Sequence, residues 1–206
     1  MAQSEATAHH AAWLRRGFHL EWITLSWNIA GVVILAYLAI TTSSVALAGF
    51  GLDSLIEIGA STVVLWELSG TGAARRHRAL RLIGVAFIAL AVYLTAQSAI
   101  ALISGHRASP SVGGIIWTAI TAVVMFLLAS GKGRVGAKLN NPVLVTEGRV
   151  TLIDGLLALA VLVGLVLNEA FGWWWADPTV GFVIVYYAIR ESIHIFREPA
   201  PEAGDE

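Results

Sequence analysis

Asp53 and Glu57 stand one helical turn apart in "AGFGLDSLIEIGAS", a stretch otherwise apolar enough to lie in lipid. The i, i+4 spacing puts both side chains on one helix face, near enough to share a cation. Asp154 lies in a second apolar stretch, and Glu147, seven residues earlier, falls on roughly the same face of that helix. Four carboxylates from two helices can then converge. A charged side chain at the centre of a membrane helix costs about 2.5 to 3.5 kcal/mol on insertion scales, and such residues usually mark a pathway. Out of water, two adjacent carboxylates do not both keep full charge, so the empty site holds at least one proton that a divalent cation must displace. That linkage is what a metal/proton exchanger requires. A proton relay has the same requirement, and spacing alone does not separate the two.

Each of these residues also has a plainer reading. Asp53, Glu57 and Asp154 fit hydrogen-bonded packing contacts with Ser, Thr or Gln neighbours. Glu147 sits beside Arg149 near a span mouth, where an interfacial ion pair explains it equally well. Asn28, in "LSWNIAG", is either an auxiliary ligand or interhelical packing glue, and Gln97 has the same ambiguity. The chain has no cysteine, so a metal must be held through oxygen or imidazole. None of the six histidines falls at a span centre, and His9 and His10 belong to a polar tail.

The elements that must position these groups are membrane helices. Of 206 residues, 57% are hydrophobic and only 13% charged, and the mean hydropathy is +0.73. A hydrocarbon core about 30 Å thick takes about 20 apolar residues per helix. Six stretches qualify, at roughly 20–41, 45–67, 80–104, 113–130, 147–168 and 174–194. The breaks between them are polar or Gly-rich: "TTSS", "SGTGAARRHR", "SGHRASPS", "GKGRVGAKLNNP" and "NEAFG". The reading is an all-α six-helix bundle over 19–195, with an N-terminal tail at 1–18 and a short acidic, disordered tail at 196–206. With both termini in the cytoplasm, Arg15, Arg16, Arg75, Arg76, Lys132, Lys138, Arg149 and Arg190 fall inside, leaving Arg107 outside. Trp66 and the run Trp173, Trp174 and Trp175 suit an interfacial aromatic belt.

A net charge of -1 with dispersed basic clusters argues against a nucleic-acid partner. No nucleophile and base stand at helix-compatible spacing, so an intramembrane enzyme has little support. No P-loop, Rossmann fingerprint or prosthetic-group motif is present.

At this depth of reading the chain resembles the cation diffusion facilitator (cation efflux) family. "SSVALAGFGLDSLIEIGAS" is similar to that family's second span, with Asp53 and Glu57 at the two acidic places of its D/H-x-x-x-D motif. "TEGRVTLIDGLLA" resembles the fifth-span motif through Glu147 and Asp154, and "WWWADPTV" resembles the start of the sixth span through Asp177 and Pro178. The resemblance implies a homodimeric metal/proton antiporter, multi-pass in the bacterial inner membrane, exporting zinc, manganese, iron or a related ion. Asp53, Glu57 and Asp154 then become ligands of a midmembrane site, with zinc the first expectation for the ion. Two departures stand out. Val150 occupies the place of the family's fifth-span His, to be made good by Glu147 or water, and no cytoplasmic ferredoxin-like domain is expected after the sixth span. An oxygen-only site also takes manganese, magnesium and iron more readily than a His-containing one. The competing reading is a non-transporting metal-binding or regulatory membrane subunit of the same fold.

Overall fold

The computed structural model describes residues 2–68, 73–109 and 111–197. It consists of six helices: α1 (Ala2–Thr42), α2 (Val45–Leu68), α3 (Ala73–Ser104), α4 (Val112–Leu139), α5 (Pro142–Phe171) and α6 (Ala176–Arg197). All six are long and apolar enough to cross a membrane, and the described residues contain no strand.

The turns form where the chain offers residues that tolerate them. Ser43 takes a φ of 54° between α1 and α2, and Asn140 takes 50° at the end of α4. Asn is among the few non-glycine residues that accept this left-handed geometry readily. The next helix starts at once: Asn141 Oδ1 accepts the Leu144 N–H at 3.1 Å, and Pro142, which has no N–H to satisfy, takes the first position of α5. Ser111 caps α4 in the same way, its hydroxyl accepting the Gly114 N–H at 3.0 Å. The cap of α2 comes from far along the chain. Asp177, at the start of α6, accepts the Val45 N–H at 2.8 Å and a hydrogen bond from the Ser44 hydroxyl. A negative charge at a helix N-terminus is favourable, so the Asp-Pro pair that opens α6 also fixes where α2 begins.

The helices associate as three antiparallel pairs, α1 with α2, α3 with α6 and α4 with α5, and α2 also packs on α3, α5 and α6. This puts α2 at the centre. Leu47 and Phe50 from α2 meet Leu35, Leu94, Val161 and Ile184 in one continuous core. The outward faces carry Ile40, Val92, Ile103, Leu127 and Tyr186, as surfaces wetted by lipid should. Trp173 and Trp175 stack with ring centroids 5.3 Å apart at the α5–α6 turn and remain partly exposed, in keeping with an interfacial belt.

Several boundaries differ from the sequence expectation, and the helices run further into the expected breaks, as α5 does through Phe171. α1 is helical from Ala2, so most of the stretch read as a tail continues the first span. The "GKGRVGAKL" stretch, read as a loop, is the last part of α4. Gly136 in this stretch and Gly148 on α5 serve a close helix contact. A Cβ on Gly136 would stand 2.8 Å from the backbone nitrogen of Val145, and one on Gly148 would stand 3.0 Å from that of Gly133. Small residues at such contacts are how membrane helices approach closely. The "SGTGAARRHR" break lies partly at 69–72, outside the described residues, and helix resumes at Ala73. The acidic tail likewise lies outside them from residue 198 onward.

Gly136→Ala should therefore force α4 from α5 and lower stability by about 1 to 3 kcal/mol. Gly133→Ala, whose Cβ would meet nothing within 4 Å, should be neutral or raise helix stability by up to about 1 kcal/mol. Thermal melts of the two purified variants in detergent check the contrast.

Candidate cation site

The central position of α2 brings Asp53 and Glu57 into the bundle rather than toward lipid. Asp53 is 1% exposed, Glu57 3%, and Asp154 on α5 1%. The three lie within electrostatic reach of one another. Asp53 Oδ2, Glu57 Oε2 and both oxygens of Asp154 have no hydrogen-bond partner. Buried polar oxygens are nearly always paired, and an unpaired one costs about 1 to 3 kcal/mol. The expectation of hydrogen-bonded packing contacts thus finds nothing to support it at Asp154. Ser54, between the two α2 carboxylates, turns its hydroxyl back to the Phe50 carbonyl at 3.1 Å and leaves them alone.

Other polar groups surround the carboxylates. Tyr187 on α6 is buried with its hydroxyl unpartnered, and it lies within electrostatic reach of Asp53, Glu57 and Asp154. Asn28 on α1 is 2% exposed, and its Nδ2 also has no partner. Val150, in place of the family's His, is half-buried and supplies no donor. Among the described residues no three His, Cys, Asp or Glu side chains stand close enough together to hold one metal ion. The arrangement is a set of separated, unsatisfied oxygens, not an assembled coordination sphere.

One turn toward the chain termini, the chemistry changes. Lys132 on α4 is 0% exposed, and its ammonium donates to Glu21 Oε2 at 3.1 Å, Glu147 Oε1 at 3.2 Å and Thr151 Oγ1 at 3.1 Å. These contacts join α1, α4 and α5 at one level. Glu147 accordingly points to Lys132 and not to its neighbour Arg149, which is exposed. It still acts electrostatically on Glu57, so the ion cluster and the three carboxylates share one field.

Sequence reasoning passed over Glu21, Lys132, Thr151 and Tyr187. A usable signal existed for the first two. Glu21 falls just inside the start of the first span and Lys132 just past the expected end of the fourth; helices running in opposite directions bring those two places to the same depth.

Fold and site together define a multi-pass membrane protein with an acidic site enclosed by its helices. Residues 81–202, more than half of the chain, match the family model for the cation efflux transmembrane domain. The chain belongs to the cation efflux family, a family of metal-ion transporters, not of enzymes. It is similar to transmembrane protein 163 of Xenopus laevis, with 27% identity over 189 residues, 86% of this chain and 66% of that protein. The chain thus spans about two thirds of the length of that relative. The family match contains Lys132, Glu147 and Asp154, while Glu21, Asp53 and Glu57 precede it.

Removing one member of a buried ion cluster leaves an uncompensated charge and typically costs about 3 to 5 kcal/mol. Lys132→Met should therefore melt much earlier than the wild type, and adding Glu21→Gln and Glu147→Gln to it should restore most of the loss. A thermal melt series of the single and triple variants tests this.

Proposed function

We propose that this chain exports a divalent metal cation from the cytoplasm across the cytoplasmic membrane in exchange for protons, with Asp53, Glu57 and Asp154 as its ligands. The observation that carries the reading is the set of unpartnered carboxylate oxygens on α2 and α5, almost wholly out of water, in a chain of the cation efflux family. An arriving ion draws the three side chains together and displaces the protons they hold. The protons of the opposite compartment release it when the bundle turns outward. Both termini face the cytoplasm on this reading, following the positive-inside distribution of Arg and Lys.

The Lys132 cluster stands beside this site at the end of the bundle where α5 begins and α6 finishes. Glu147 joins the ligand shell only when it leaves Lys132, which makes it a candidate for capture of the incoming ion. Asn28 on α1, buried with its Nδ2 unpartnered, is an auxiliary ligand through its amide oxygen. With oxygen donors throughout, manganese and iron fit the site as well as zinc does, and zinc stands first by family alone. The transporter acts as a homodimer, as the family resemblance implies.

A second reading has one observation in its favour: the carboxylates are not assembled around a point. A metal-binding or regulatory subunit would bind ions without moving them. Zinc and manganese flux into proteoliposomes holding a pH dye separates the two. The transporter reading expects metal movement with proton counterflow, lost in Asp53→Asn and in Asp154→Asn by more than about 100-fold, beyond the cost of losing a group that only orients a ligand. Metal binding without flux selects the subunit, and full flux in both variants would remove these residues from the site.

A further inference from the structure

Two concavities meet along the C-terminal part of α6. One is a cavity of about 400 Å³ between α5 and α6, lined by Arg149, Arg190, Arg197, Glu191 and His194. Three guanidiniums against one carboxylate leave it with a net charge of +2. Glu191 and His194 have partners of their own, whereas the three arginines are exposed and none is in an ion pair among the described residues. The other concavity is an apolar groove of about 890 Å³ between α3 and α6. Its one hydroxyl on α3, Thr95, is bonded back to the Ala91 carbonyl at 2.7 Å, so that wall offers lipid-like surface. Ile193 and Arg197 line both concavities, so the two adjoin along α6.

We infer that the pair forms a binding site for one anionic phospholipid, its phosphate held by Arg149, Arg190 and Arg197 and an acyl chain laid in the α3–α6 groove. The dimensions agree. The groove runs along α3 from Ile88 to Ala99, eleven residues or about 16 Å, close to one leaflet of a hydrocarbon core about 30 Å thick. The direction agrees as well. Phe196 packs on Gly84 near the start of α3, so the groove opens beside Arg197 and descends into the bilayer away from the guanidiniums. Basic pockets between membrane helices recognise such headgroups, and guanidinium binds phosphate oxygens in a fork. A second copy of this chain fits the groove less well. A two-fold interface sets each patch against itself, and this one carries Arg197 with no carboxylate to meet it.

The site has a place in the transport reading without depending on it. Arg149 lies between Glu147 and Val150 on α5, so a lipid held there braces the helix that carries Asp154. Its binding is measured apart from flux.

The test is native mass spectrometry of the full chain in detergent, offered phosphatidylglycerol or phosphatidylcholine with identical acyl chains. Preferential retention of phosphatidylglycerol is expected. Arg190→Gln and Arg197→Gln should each weaken it about fivefold, the equivalent of about 1 kcal/mol per basic side chain. Ala96→Trp, which fills the groove, should lower retention of the lipid but leave binding of glycerophosphoglycerol unchanged. Equal retention of the two lipids would overturn the inference. So would displacement of the lipid by inorganic phosphate at equal concentration, which makes the cavity a simple anion site, or a dimer that retains no lipid and that Ala96→Trp dissociates.

Discussion

A charge taken out of water must be met by another charge or by enough hydrogen bonds, and in this bundle one ammonium meets that demand for two carboxylates. Lys132 lies between Glu21 and Glu147 with Thr151 as a third acceptor, and the three helices they come from can adopt only arrangements that keep those contacts. The extension of α4 past residue 130 carries Lys132 to these partners. The close approach of α4 to α5 follows too, through Gly136 and Gly148. Once α5 is fixed in rotation by Glu147 and Thr151, Asp154 is fixed with it, since positions separated by three, four and seven residues share a helix face.

The contrast with the neighbouring carboxylates carries the functional information. Glu147 and one oxygen of Glu21 are paired with Lys132, although Glu21 Oε1, like one oxygen each of Asp53 and Glu57, has no partner. Asp154 is as deeply buried, with neither oxygen paired, and Asp53 and Glu57 each keep an oxygen without a partner. A protein that needed carboxylates only for packing would pair them, as it does Asp177 with Ser44 and the start of α2. The unpaired oxygens of Asp53, Glu57 and Asp154 are a standing cost of stability, which a cation bound as proposed would recover.

Much of this was legible in the sequence, and the limits have physical causes. The number and order of the spans follow from hydropathy, because a lipid-spanning backbone leaves few alternatives to a long apolar helix. Asp53, Glu57 and Asp154 are conspicuous for the same reason: charge is rare in such runs. Lys132 was read as part of a loop because "GKGRVGAKL" has the glycines and basic residues that loops favour. What reverses the reading is tertiary, a neighbouring helix close enough to need those glycines and two carboxylates at its depth. The role of Asp177 was equally out of reach, since it caps a helix that starts more than a hundred residues earlier. Tyr187 carries no charge that would single it out among the aromatic residues of its span.

On the proposed function, the unpaired carboxylates of α2 and α5 bind a divalent cation by releasing protons. Calorimetric titration of zinc and of manganese into the purified chain, in buffers of equal pH and unequal ionisation heat, counts those protons directly. The apparent binding enthalpy should shift with the buffer in the sense of proton release, and the shift should disappear in Asp154→Asn. Tight metal binding with the same enthalpy in every buffer, or binding that survives unchanged in Asp154→Asn, would contradict the proposal.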